Sequence, residues 1–370
     1  MSNKLCLIFN IASNYRKSIY SEIDQQFDCD WFFGKNNTDI KEFDIKILNN
    51  CFRYKSYGNP SILYWQGALI PCLFKKKYNT YIMITEDRSI SYWLFMLLKS
   101  LFFRKKNIYG WSHGLYGRES KLRKVIERWR INNMAGQFVY NNRAKSLITE
   151  LGIPPEKIHV IGNSLDYDTQ LALRNSSHLT DVYKNHFGNL YPVIIFIGRL
   201  TKVKKLDILL DAIYKLNKQS KYFNLILVGD GIEKNHLEDL VNQYGLHNQV
   251  WFYGACYDEK INAELVYNAT LCVSPGNVGL TAIHALMFGT PVITNDDFTH
   301  QMPEFEAIRP NDTGDLFVCN NADDLSIKID EWITNHTNRE TVRKACYYEI
   351  DNKWNPHKQI NVITSVIKSI

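Results

Sequence analysis

From residue 193 onward, short apolar runs alternate with stretches whose apolar residues recur at helical spacing. The run PVIIFI (192–197) precedes Leu206, Leu209, Leu210, Ile213 and Leu216, three and four apart, which predicts a strand and then an amphipathic helix. LILVG (225–229) predicts a second strand and Glu233–Tyr244 a second helix. QVWFYG (249–254), LCVSP (271–275) and PVITN (291–295) predict three more strands, with helices near 260–267 and over Leu280–Phe288. Strands that are apolar throughout and alternate with helices predict a parallel sheet covered on both faces.

The N-terminal half repeats the theme less regularly. KLCLIFN, DCDWFFG, YIMITE, NIYGWSHG, QFVYN and KIHVIGN are its candidate strands, and a second doubly wound domain is the natural reading. The organisation expected is an N-terminal domain over 1–170, a polar linker over 171–190 rich in Asn, Ser and His, and a C-terminal domain over 191–350. Residues 351–370, with WNPHKQINVITSVIKSI, predict a terminal amphipathic helix. A length of 370 residues suits two domains.

Charge changes the picture more than composition does. The apolar fraction of 45% and charged fraction of 22% are those of an ordinary globular protein. The net charge of +6, however, divides into +11 for residues 1–190 and −5 for the rest. Residues 51–150 alone carry 18 Lys and Arg against 5 Asp and Glu, so this half is expected to meet something anionic, or else to be a plain solvated basic surface. The greasy stretch Ile90–Phe103, followed by Arg104, Lys105 and Lys106, is too short to span a bilayer, which needs about 20 apolar residues. It reads first as a core helix and second as an interfacial one. No signal peptide is visible, and the eight cysteines form neither a C-x-x-C pair nor a zinc-spaced set. A cytoplasmic protein with reduced thiols is the expectation, with the inner face of the plasma membrane as a candidate peripheral location.

In open parallel sheets, ligands bind beyond the carboxyl ends of the strands. Four segments lie there. Gly198, Arg199 and Lys204 fall in GRLTKVKK after the first C-terminal strand, and Gly229 ends the second. Two cations beside a helix N-terminus suit a diphosphate, although an Arg and a Lys in a turn are commonly surface charges. Gly276, Asn277, Gly279, Leu280 and Thr281 lie in SPGNVGLT, where glycines let backbone N–H groups approach an anion. His113, with Arg118, lies in SHGLYGRE, and Asn14 and Arg16 follow the first strand in ASNYRK.

Taken together, FIGRLTKVKKLDILLDAI, LILVGDGIEKNHLEDLV, VWFYGACYDEKINAELVYNATLCVSP, VGLTAIHALMFGTPVIT and EFEAIRPNDTGDLF resemble the nucleotide-binding half of the family 4 glycosyltransferases. The N-terminal half resembles that family only at SHG and VIGNSLD. The resemblance implies a GT-B fold, two facing Rossmann-like domains with parallel sheets and an interdomain cleft. It implies a nucleotide-diphosphate sugar bound by the C-terminal domain and an acceptor by the N-terminal one, with the final helix crossing back.

Arg199 and Lys204 match the pair that holds the donor diphosphate, Gly279 and Leu280 the turn that meets the phosphates, and His113 a position near the reacting sugar. The candidate catalytic residues are therefore His113, Arg199 and Lys204, and the candidate acceptor contacts Asn14, Arg16, His113 and Arg118. The resemblance further implies a retaining hexosyl transfer to a saccharide acceptor, and the basic N-terminal half would then suit a lipid-diphosphate-linked acceptor of the kind used in making bacterial surface polysaccharides. Neither a metal nor another cofactor is expected, and nucleic acid is not an expected partner. The family's two glutamates, eight residues apart, are replaced here by Gly276 and His284. That points to a deoxy sugar or deoxyribonucleotide donor, or to Gln301, Glu304 and Glu306 as substitutes. A nucleotide-sugar epimerase or hydrolase of the same fold, or an inactive nucleotide-binding subunit, are the alternatives.

Overall fold

The computed structural model describes residues 4–35 and 40–369. It divides into two compact units, one running to Asp166 and resuming at Pro356, the other spanning Tyr167–Asn355. The boundary thus falls earlier than the expected linker. Residues 171–190 belong to the second unit, in the helices Tyr167–Ser176 and Val182–Phe187. Gln170 donates to Glu259 at 2.7 Å, Arg174 pairs with Asp351 at 3.0 Å, and the Tyr183 hydroxyl donates to the Leu265 carbonyl at 2.6 Å. The polar composition is that of tethered surface helices.

The first unit contains β1 (Lys4–Phe9), β2 (Cys29–Phe33), β3 (Cys51–Arg53), a hairpin of β4 (Ser56–Asn59) and β5 (Leu63–Gln66), then β6 (Tyr78–Ile84), β7 (Asn107–Trp111), β8 (Gly136–Val139) and β9 (Ile158–Val160). Its main sheet is parallel in the order β3-β2-β1-β6-β7-β8-β9. Leu7, Phe9, Trp31, Phe33 and Ile82 are fully buried on one face, and Cys6, Tyr81 and Met83 on the other, as the continuous apolar runs require. The terminal helix Pro356–Lys368 packs in this unit: Ile360 and Ile363 enter its core, and Gln359 donates to the Gly162 carbonyl at 2.8 Å. Residue 370 of the expected helix lies outside the described residues.

The second unit contains β10 (Val193–Ile197), β11 (Asn224–Val228), β12 (Val250–Gly254), β13 (Leu271–Ser274), β14 (Val292–Asn295) and β15 (Gly314–Phe317), all parallel in the order β12-β11-β10-β13-β14-β15. This is the doubly wound order, and the strand direction of travel reverses between β10 and β13. All eight cysteines are free. No helix among the described residues is long and apolar enough to cross a membrane.

Candidate functional site

The switch point between β10 and β13 brings two turns side by side. After β10 the chain passes through Gly198 and Arg199 into a 3-10 turn, Lys202–Lys204, then through left-handed Lys205 into the helix Leu206–Lys218. After β13 it passes Gly276 and Asn277 to Gly279, whose φ of 56° starts the helix Leu280–Met287. The Thr281 hydroxyl donates to the Ile197 carbonyl at 2.9 Å, fixing that helix start against the end of β10. Gly229, at the end of β11, has no room for a side chain: a Cβ there would lie 1.8 Å from the Gly198 carbonyl oxygen.

Lys204 joins the two turns. Its ammonium donates to the Asn277 backbone carbonyl at 2.6 Å and to the Asn277 side-chain oxygen at 2.9 Å. Burial, and then repulsion from Arg199, pull its pKa down to about 8 against the opposing pull of Glu304. The helix beginning at Leu280 adds N–H groups without intrahelical partners. A half-buried cation, a second cation within electrostatic reach and a helix N-terminus make a place short of negative charge.

Gly276 carries that arrangement. A Cβ on it would lie 1.9 Å from the Val203 carbonyl oxygen and 2.7 Å from the Lys204 Cα. Its amide donates to the Lys204 carbonyl at 3.0 Å. Gln301 is committed to holding the same loop, accepting from the Val278 amide at 2.9 Å and donating to the Gly276 carbonyl at 3.1 Å. Its amide is spent on the loop, so it does not replace a donor contact. Glu304 is buried in the turn Pro303–Ala307, and Glu306 is partly exposed in the same turn.

His284 lies in the helix Leu280–Met287, with its Nε2 2.9 Å from Glu259 Oε1. Burial raises the Glu259 pKa, but the hydrogen bond and charge of His284, with the amide of Gln170, outweigh it and hold the carboxyl below the usual range. Sequence reasoning missed Glu259. It stands 25 positions from His284, at the start of the helix that follows β12, and only the fold joins the two.

In the first unit, Arg16 and His113 come together. Arg16 is buried and donates to the Tyr140 hydroxyl at 2.7 Å, which also accepts from Trp111 Nε1 at 2.8 Å. His113 follows β7, its ring edge-on to Tyr140 at 5.2 Å. Burial, reinforced by Arg16, pulls its pKa down to about 4, so it is neutral at pH 7. Asn14 is exposed, and its backbone amide donates to the Lys41 carbonyl at 2.8 Å. Arg118 is also exposed and lies over the Tyr116 ring at 5.1 Å. At this unit's own reversal point, between β1 and β6, Asn10 donates to Glu86 at 2.7 Å. Burial raises the Glu86 pKa. Neither residue stood out in the sequence, because each sits at the polar end of an apolar run.

Residues 181–348 match the family model described as glycosyl transferases group 1. Over those residues the second unit is similar to the group 1 glycosyltransferases. The chain is 28% identical over 174 residues to 2-deoxystreptamine glucosyltransferase of Streptomyces kanamyceticus, an alignment covering 45% of this chain and 44% of that one. The chain spans about half the length of the curated relatives it matches. Across both units, HepE of Anabaena, solved in complex with UDP, superposes with a TM-score of 0.69 at 16% identity, covering 99% of this chain and 100% of that one. The lipopolysaccharide outer core galactosyltransferase WaaB superposes with a TM-score of 0.72 at 15% identity, covering 99% of each chain. The fold is GT-B.

Proposed function

We propose that this chain is a glycosyltransferase that moves a hexosyl group from a nucleoside-diphosphate sugar to a saccharide or lipid-linked saccharide acceptor. The observation that carries the reading is the Lys204 bracket: a half-buried ammonium, its pKa lowered by its surroundings and held by Asn277 beside Arg199 and the helix beginning at Leu280. Breaking the bond between the sugar and the diphosphate leaves negative charge on the departing phosphate. Preorganised cations and N–H groups stabilise that charge as it develops, with no cofactor called for.

Donor contacts are assigned to Gly198, Arg199, Lys204, Gly229, Gly276, Asn277, Gly279, Leu280, Thr281, His284, Glu304 and Glu306. Gly198, Gly229 and Gly276 act by leaving space for the turns. Acceptor recognition is assigned to the first unit, where neutral His113 beside Arg16 offers a ring nitrogen to a hydroxyl; Asn14 and Arg118 are the outer contacts. Retention of anomeric configuration is taken from the family resemblance. HepE was solved with UDP and with UDP-glucose, and WaaB is named for lipopolysaccharide; these support a nucleotide-sugar donor and a surface-polysaccharide role for this chain.

The carboxylate of Glu259 beside His284 favours an active enzyme over an inactive nucleotide-binding subunit, since it keeps an acceptor for hydroxyl groups near the place where the family has its second glutamate. A thermal-shift panel of UDP-, GDP- and dTDP-sugars tests the donor reading, because a ligand of the folded state raises its melting temperature. One of the three is expected to do so; if none does at millimolar concentration, the reading fails.

A further inference from the structure

Two helices of the first unit wear their apolar residues outward. In the helix Lys121–Asn132, the inward face is charged: Arg123 and Arg130 both pair with Glu127 and with Asp87. Leu122, Val125 and Trp129, spaced three and four apart, point instead to solvent, with Leu122 70% and Val125 65% exposed. An ordinary surface helix does the reverse, burying its apolar stripe and exposing its charges.

The neighbouring helix, Ile90–Phe102, continues the surface. Its Tyr92, Phe95 and Met96 fill the core, while Leu97 and Leu101 are exposed one and two turns beyond Trp93. The Trp93 and Trp129 rings lie 6.5 Å apart, so the two stripes meet in one apolar groove. Cations border it. Lys121, Lys124 and Arg128 run along the exposed helix beside the apolar stripe, and exposed Arg104 and Lys105 follow the end of the other helix.

We propose that these two helices form a docking surface for an anionic phospholipid leaflet, into whose interface the apolar stripes insert while the bordering cations meet lipid phosphates. Charge complementarity selects the occupant. A contiguous exposed apolar patch marks an interaction site of some kind, and a basic border on an apolar helix face is the pattern of helices that lie in the plane of a negatively charged membrane surface. The proposal adds a partner to the reading above without depending on it, since vesicle binding needs neither donor nor acceptor.

The test is co-sedimentation of the full chain with phosphatidylcholine vesicles, with and without phosphatidylglycerol, at low and high salt. The wild type is expected to pellet with the anionic vesicles and to be released by salt. Leu122→Ser/Val125→Ser should weaken pelleting at least tenfold. Lys121→Gln/Lys124→Gln/Arg128→Gln should weaken it on the order of a hundredfold, at about fivefold per surface charge. Both variants alter exposed side chains, and their melting curves should match wild type. If a melting curve does not match, quenching of wild-type tryptophan fluorescence by brominated lipid chains decides, and its absence overturns the proposal. Three further results would overturn it: no pelleting, equal pelleting with neutral vesicles, or a concentration-dependent dimer in solution that Leu122→Ser/Val125→Ser dissociates.

Discussion

Gly276 lies against the backbone of Lys204 so closely that even a methyl group on it would sit 2.7 Å from the Lys204 Cα. The glycine therefore belongs to this chain's way of placing its half-buried cation. Placing the family's glutamate at this position should not create its donor contact here. Gly276→Glu is expected to displace the Val203–Lys204 turn, at a cost above the ~1–3 kcal/mol of ordinary overpacking, and to abolish nucleotide binding. Thermal melting and calorimetric titration would check this; a Gly276→Glu protein as stable as wild type that binds nucleotide as tightly would contradict it.

The Lys204 pKa of about 8 gives the site a pH signature. A bound diphosphate favours the charged ammonium and raises that pKa, so binding takes up a proton above about pH 8. Affinity is expected to be flat below that value and to fall by up to about tenfold per unit above it. Stability of the unliganded protein runs the other way. The folded pKa is below the unfolded value of about 10.4, so the unfolded chain binds more protons between the two and stability rises with pH across that window. Lys204→Met should remove both slopes, as calorimetry and melting across pH 6.5–10 would read, in a range set by about 8 and about 10.4.

His284 and Glu259 form a pair whose two members should fail differently alone and together. His284→Glu places two carboxylates about a hydrogen bond apart, where like charges oppose each other. That variant should lose stability and donor affinity. Adding Glu259→Gln should recover much of both, a coupling of about 0.5–3 kcal/mol in a double-mutant cycle. Additive effects would mean that the 2.9 Å contact does not operate in solution.

The second sheet was legible because buried parallel strands read as unbroken apolar runs: VIIFI, LILV and LCVS fall within a residue of the strands observed. Strands β3 to β5 were not: Phe52, Tyr57 and Leu63 are half or more exposed, and the alternation of β5, which buries Tyr64 and Gln66, lasts only four residues. The segment 171–190 looked like a linker because its stability comes from polar tethers such as Arg174–Asp351, which leave no periodic apolar signature. The same limit hid Glu259 and the structural use of Gln301, whose roles arise from partners 25 and 23 positions away. Lys204 and Arg199 were visible as charges after a strand. Partial burial of the ammonium and its hold on Asn277 are properties of the fold.

Calorimetry at pH 7 of nucleoside and nucleoside diphosphate binding to wild type, Arg199→Ala and Lys204→Met reads the role of the two cations. Wild type is expected to prefer the diphosphate, and each substitution to weaken the diphosphate about tenfold to a hundredfold, the range for losing a charged hydrogen bond, while leaving the nucleoside unchanged. Equal diphosphate affinity in all three proteins would contradict that role.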